Sequence, residues 1–133
     1  MDKNRLKKFI TYFLIITIFF VVLSVVFSFH AIYTGVKNIC VEAKREFGQD
    51  CVQSLMLYIR SDDHNRKDKR HAVWALGQLA DKDAISFLED LQKEYGCQED
   101  PKKSKICYEI YKAIKGCTCG NVTSWMYKNK ENW

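Results

Sequence analysis

Six cysteines, Cys40, Cys51, Cys97, Cys107, Cys117 and Cys119, carry most of the chemical potential of this 133-residue chain. An even number of cysteines in a small domain outside the cytosol points to disulfides, with buried free thiols as the plainer alternative. Cys97 and Cys107 bracket one loop, at the same end of two neighbouring helices. A bond there would close an 11-residue segment and stabilise the fold by about 3 kcal/mol through loop entropy. Cys117 and Cys119 form a C-x-C pair at the other end of the second of those helices. Cys51 belongs to that same end of the stack, so a bond from Cys51 to one of them is expected. Thiol redox catalysis would need C-x-x-C or an exposed, electropositive thiol at a helix start. Zinc would need C-x₂₋₄-C or H-x₃₋₅-H knuckles, and the spacing of Cys97, Cys107 and Cys117 supplies neither.

The remaining polar groups read as surface. His64 and His71 are seven residues apart around the polar run Ser61 to Lys69, with Asp62, Asp63 and Asp68 nearby. A surface metal site or a general base can be imagined there, but a solvated turn is the expectation. Asp81, Asp83, Glu89 and Asp90 fall on helix ends or solvent faces, where they cap and solubilise. Asn121-Val122-Thr123 is a glycosylation sequon, meaningful only in a eukaryotic secretory pathway. There is no nucleophile elbow, P-loop or dinucleotide-binding glycine pattern. No residue is therefore assigned a catalytic or metal-binding role, no cofactor is expected, and binding is expected in place of turnover.

The elements that hold these residues begin with an apolar run. Residues 9–29 carry no charge, and 21 residues of helix span roughly 31 Å, enough to cross the hydrocarbon core of a bilayer. A cleaved signal peptide has a shorter apolar region followed by small residues. Phe29, His30 and Ile32 spoil such a site here, and Val26-x-Ser28 is the weak alternative, so an uncleaved anchor is expected. Lys3, Arg5, Lys7 and Lys8 precede the run, whereas the far side is sparse in charge up to Lys37. The positive-inside rule then places residues 1–8 in the cytoplasm as a stub and the rest of the chain across the cell membrane, as a single-pass protein. The net charge of +5 is concentrated in that stub, which carries +3 and leaves +2 for the remainder. This gives no electrostatic footprint for nucleic acid. Lipid contact is assigned to residues 9–29. Lys128 and Lys130 beside Trp125, Tyr127 and Trp133 could touch headgroups, but a frayed tail is the plainer expectation.

Beyond the run, helical periodicity continues through Ile32, Val36, Ile39, Cys40, Ala43 and Phe47. The pattern predicts one long helix over residues 9–47, or two in close succession, with Gly35 a candidate kink and Gly48 the stop. Residues 30–48 form a stalk that doubles as the first helix. A helical region follows over residues 49–117, and a tail over 118–133. Its first helix covers residues 49–60, with Val52, Leu55, Met56 and Ile59 inward. Residues 70–91 hold two apolar stripes, Ala72, Ala75, Leu76, Leu79 and Ala80, then Ala84, Phe87, Leu88, Leu91 and Tyr95, joined at Asp81-Lys82. Small residues on the first of these helices would let the second pack close. Residues 105–116 predict a further helix with Ile106, Cys107, Ile110, Tyr111, Ala113 and Ile114 inward. Val122, Trp125 and Met126 suggest a short final helix that caps the stack. No strand pattern appears.

Ala72, Ala75-Leu76-Gly77, Leu79, Asp81, Ala84, Leu88 and Leu91 together resemble a HEAT repeat of the short bacterial and archaeal type. The resemblance is specific over residues 69–91 and loose over 36–60 and 103–116. Residues 50–55 and 83–88 also match in character at an offset of 33, a period seen in helical solenoids. The resemblance implies an all-α chain: an N-terminal transmembrane helix followed by a HEAT-like α-solenoid of about two and a half hairpins. HEAT repeats mostly bind other macromolecules, so the expected role is an adaptor whose extracytoplasmic helical domain binds a protein partner. A small enzyme or enzyme-associated subunit using thiol or metal chemistry, and a passive subunit of a membrane complex, are the alternatives. The binding candidates are Trp74, Gln78, Ser86 and Lys93 on the outer faces of the central repeat. Trp74 lies about 160° around the wheel from both Ala72 and Leu76, so it packs on an adjacent repeat, on the stalk or on a partner.

Overall fold

The computed structural model describes residues 3–133. Met1 and Asp2 of the stub lie outside them, as does the side chain of Lys3 in the basic cluster. The described chain is all-helical: α1 (Lys3–Phe47), α2 (Cys51–Arg60), α3 (Arg66–Leu79), α4 (Ile85–Glu94) and α5 (Lys105–Cys119), with 3₁₀ turns at Lys82–Ala84, Ser124–Tyr127 and Lys130–Asn132. It divides after Ile32 into two compact units, and α1 contributes to both.

The first unit is the apolar part of α1. Every side chain from residue 4 to 28 is exposed, and the helix is long and apolar enough to cross a membrane. Its serine and threonine hydroxyls are satisfied within the helix. Thr17 Oγ1 donates to the Phe13 carbonyl (2.9 Å), Ser24 Oγ to Phe20 (2.9 Å) and Ser28 Oγ to Ser24 (2.8 Å). Back-bonding of this kind lets a hydroxyl enter a medium that offers no partner of its own.

The second unit, Tyr33–Trp133, has its own core. Val36, Ile39, Cys40 and Ala43 of α1 are buried in it, so the segment read as a stalk is a full wall of the domain. Gly48 ends α1 at φ +67°, with its N–H bonded to the Lys44 carbonyl at 2.8 Å. Glycine takes that left-handed conformation at no steric cost. The starts of α2, α3 and α5 each have a short polar cap. Asp50 accepts from the Gln53 N–H (3.0 Å), Asn65 from Lys67 and Asp68 (2.9 and 3.1 Å), and Ser104 from Cys107 (3.3 Å). Each such cap is worth about 1 kcal/mol. Leu55, Tyr58, Val73, Leu76, Leu88 and Ile110 fill the centre.

The α3 and α5 backbones approach closely. A Cβ at Gly77 would stand 2.7 Å from the Ala113 Cα, and one at Gly116 would stand 2.6 Å from the Gly77 carbonyl oxygen. Gly77 of α3 thus admits α5, and the main neighbour of α3 is α5, not α4 as the hairpin reading expected. Three further expectations are corrected. Tyr111 is exposed, because the inward stripe of α5 runs through Cys107, Ile110, Ala113 and Cys117. The expected final helix is a 3₁₀ segment, Ser124–Tyr127, that buries Tyr127, with Thr123 buried just before it, which leaves Val122 and Trp125 outside. Three residues per turn instead of 3.6 shifts the inward register. Finally, the tail is not frayed: Lys130 pairs with Asp81, and Lys44 Nζ donates to the Glu131 carbonyl at 3.1 Å.

Candidate functional site

Four of the six cysteines are bonded. Cys97–Cys107 closes the loop before α5, with Cα atoms 5.3 Å apart, and Cys40–Cys51 ties α1 to α2 at 5.4 Å. The expected partnership of Cys51 with Cys117 or Cys119 is therefore wrong. The tight turn at 48–50 folds the start of α2 back onto the Cys40 level of α1, whereas Cys117 lies against α3. Cys40 sits on the inward stripe of α1, and that periodicity was the signal for its burial. Positions i and i+2 of a helix do not share a face, so Cys117 is buried and Cys119 exposed, and both are free thiols. Cys117 Sγ donates to the Leu76 carbonyl at 3.6 Å. Burial, aided by the Asp81 charge and opposed by a backbone hydrogen bond, pushes its thiol up to about 11.

Trp74 packs on α1. A Cβ at Gly35 would stand 3.3 Å from the far edge of the indole, so the small residue there is a seat for Trp74 within an uninterrupted helix. The His71 ring lies against the indole at 5.2 Å. Partial burial lowers the His71 pKa, against the pull of Asp68 and Glu42 and with the help of Lys67. Trp74 forms the ridge between two open grooves. One, of about 290 Å³, runs between α3 and α5 past Gln78, Lys112, Lys115 and Cys119 over the Gly77–Gly116 floor. The other, of about 240 Å³, is lined by Lys67, Arg70, His71 and Glu109. Gln78 accepts from Thr123 Oγ1 at 2.8 Å, which ties it to the C-terminal cap. Ser86 and Lys93 are exposed on α4, outside either groove, and Lys93 pairs with Asp90 at 3.1 Å. The structure thus brings together two of the four binding candidates, Trp74 and Gln78. Both polar groups of the sequon are engaged: Asn121 Nδ2 donates to the Gly77 carbonyl at 3.3 Å, and Thr123 is buried.

His64 is not in a solvated turn. Its Nε2 lies 3.0 Å from Glu46 Oε2, and its ring stacks on Tyr58 at 3.5 Å. Tyr58 is buried and its hydroxyl donates to Glu42 Oε1 at 2.9 Å. Burial first, then the Glu42 hydrogen bond and charge, raise the Tyr58 pKa. The network pins the α2–α3 connection to α1. It was hidden in the sequence because Glu42 and Glu46 lie on the polar side of α1, which only tertiary packing brings against the turn. Among the described residues no group of three or more His, Cys, Asp or Glu side chains is placed to hold a metal ion. No family model, no curated protein and no solved structure matches the chain.

Proposed function

We propose that this protein is a single-pass membrane-anchored interaction module: a HEAT-like helical domain, held outside the cytoplasm, that receives a protein partner in the groove between α3 and α5. The observation that carries the reading is the division of labour along the chain. An uncharged segment whose side chains are exposed through residue 28 is followed by a unit that completes its own core. A helix so apolar is stable in water only if something covers it, and a bilayer does so along its whole length. The basic cluster before it supports an N-terminus in the cytoplasm. The Cys40–Cys51 and Cys97–Cys107 pairs support an oxidising compartment for the domain.

The groove suits a peptide or side-chain contact better than a small enclosed substrate. It is open, its floor is backbone at Gly77 and Gly116, and its walls combine an indole with the amide of Gln78 and the Lys115 ammonium. Aromatic ridges flanked by polar groups are the usual anchors of protein interfaces. The topology is tested by fusing a phosphatase that is active only outside the cytoplasm after Trp133. Strong activity, with the fusion retained in membranes after alkaline washing, is expected. A well-expressed but inactive fusion would overturn the extracytoplasmic placement, and release by the wash would overturn the anchor.

A further inference from the structure

Among the described residues of the second unit, the two most exposed large apolar side chains are Val122, at 79%, and Trp125, at 64%. They are three residues apart, on a segment that the fold holds firmly. Thr123 bonds to Gln78, and Tyr127 is buried and stacks on Tyr33 with ring centroids 6.1 Å apart. Trp133 meets the same Tyr33 ring edge-on at 5.6 Å. The tail is thus fixed as a cap on Tyr33, with an indole and a valine turned outward and the exposed Lys128 beside them.

Tyr33 lies four residues beyond Phe29, the last residue of the uncharged run. Four residues of helix rise about 6 Å. Tyr33 is thus about 6 Å along the chain from the end of the uncharged run, and Tyr127 and Trp133 of the cap pack on its ring. Tyrosine and tryptophan favour the layer at the edge of the hydrocarbon, since the ring is apolar and its N–H or O–H remains wet. Lysine reaches the phosphates there from an apolar stem.

We infer that the C-terminal cap is a lipid-contact element: Trp125 and Val122, flanked by Lys128, sit in the headgroup layer of the membrane that residues 9–29 cross. The inference rests on the anchored reading above and adds a second point of attachment, which restrains the domain against the bilayer surface. It assigns the exposed apolar pair to lipid and leaves the α3–α5 groove to the protein partner.

The test uses the full chain in phosphatidylcholine nanodiscs, with Trp74→Phe and Trp133→Phe so that Trp125 is the only indole. Co-elution with the discs reports the anchor separately. Phosphatidylcholine brominated near the top of the acyl chain is expected to remove most of the Trp125 emission. A blue shift relative to the same chain in urea, and weak quenching by aqueous acrylamide, should accompany it. Co-elution with strong acrylamide quenching and no bromolipid quenching would overturn the inference and leave the anchor standing. Protection from both quenchers would mean that protein, such as a second copy, covers the cap, and would also overturn it. Failure to co-elute would overturn the anchor and this inference together. Trp125→Ser in the otherwise native chain is expected to keep the helical circular dichroism while losing surface attachment, read as greater mobility of a spin label at Ser86.

Discussion

Replacing Gly77 with alanine separates helix propensity from packing, because the two have opposite signs at this position. In an unconstrained helix interior the change stabilises by about 1 kcal/mol. Here the new methyl would stand 2.7 Å from the Cα and 3.1 Å from the Cβ of Ala113. Carbon atoms ordinarily rest about 3.5–4.0 Å apart, so α5 must retreat by roughly 1 Å. The obstacle is backbone, so no rotamer change relieves it. Overpacking of this kind costs about 1–3 kcal/mol. The retreat also loosens Ile110 and Cys117, which are buried on the same face of α5. After subtraction of the propensity gain, a net loss of up to about 2 kcal/mol is expected, or a fall in Tm of up to roughly 16 °C for a domain of this size. The assay is thermal and urea unfolding of residues 33–133, disulfides intact, followed by far-UV circular dichroism. A Tm raised by the full propensity gain, about 4–8 °C above that of the parent, would refute the close α3–α5 packing, and with it the backbone floor of the groove.

Other expectations follow from the same geometry. Leu76→Ala and Leu88→Ala, both at fully buried positions, should each destabilise the unit by about 2–5 kcal/mol; a change below about 0.5 kcal/mol, as at surface sites, would mean that the helical register is misassigned. Thiol alkylation of the native protein should label Cys119 alone, and Cys117 should react only after unfolding, since it is buried and its thiol is pushed up to about 11; rapid native labelling at Cys117 would contradict its placement. Peptide mapping without reduction should recover Cys40 linked to Cys51 and Cys97 linked to Cys107, and a peptide joining Cys51 to Cys117 would contradict the fold. Partial burial works to raise the Asp81 carboxyl, but the Lys130 hydrogen bond, the Asp83 N–H and the Lys130 charge together hold it below its ordinary value. The stability it contributes is therefore present above the unfolded pKa of about 3.9 and is lost as pH falls through the lower folded value. Asp81→Asn should cost up to about 1 kcal/mol at neutral pH and flatten the stability profile below about pH 4, and an unchanged acid limb would disprove the link.

Helix positions were legible because each rests on local chemistry: the apolar stripes and the glycine at 48. The Cys97–Cys107 bond was legible for the same reason, since both residues border one loop. What failed needed three-dimensional registration. The partner of Cys51 depends on the angle at which α2 crosses α1, and periodicity does not encode that angle. The contact of Gly77 with α5 depends on which neighbour fills the space beside a small residue. His64 looked solvated because the carboxylate that holds it, Glu46, lies on the polar side of a distant stretch of helix. The cap was misregistered because Val122, Trp125 and Met126 fit an α-helical stripe, whereas the chain takes a 3₁₀ turn over Ser124–Tyr127 that buries Tyr127, with Thr123 buried just before it. Of the binding candidates, Trp74 and Gln78 were separated from Ser86 and Lys93 only by the placement of α5.

The central claim, that the α3–α5 groove binds a protein partner at the membrane, is tested most directly by site-specific photocrosslinking of the full chain in native membranes. A photoreactive residue at Lys115, on the groove wall, is compared with one at Lys93, on the exposed face of α4, and one at Leu23 in the apolar helix. The account predicts a discrete protein adduct from position 115, lost when Trp74 is replaced by serine in a variant shown to remain folded, and no such adduct from position 93. Adducts from position 23 alone would contradict it and would identify the chain as a subunit held through its membrane helix, with the helical domain a passenger.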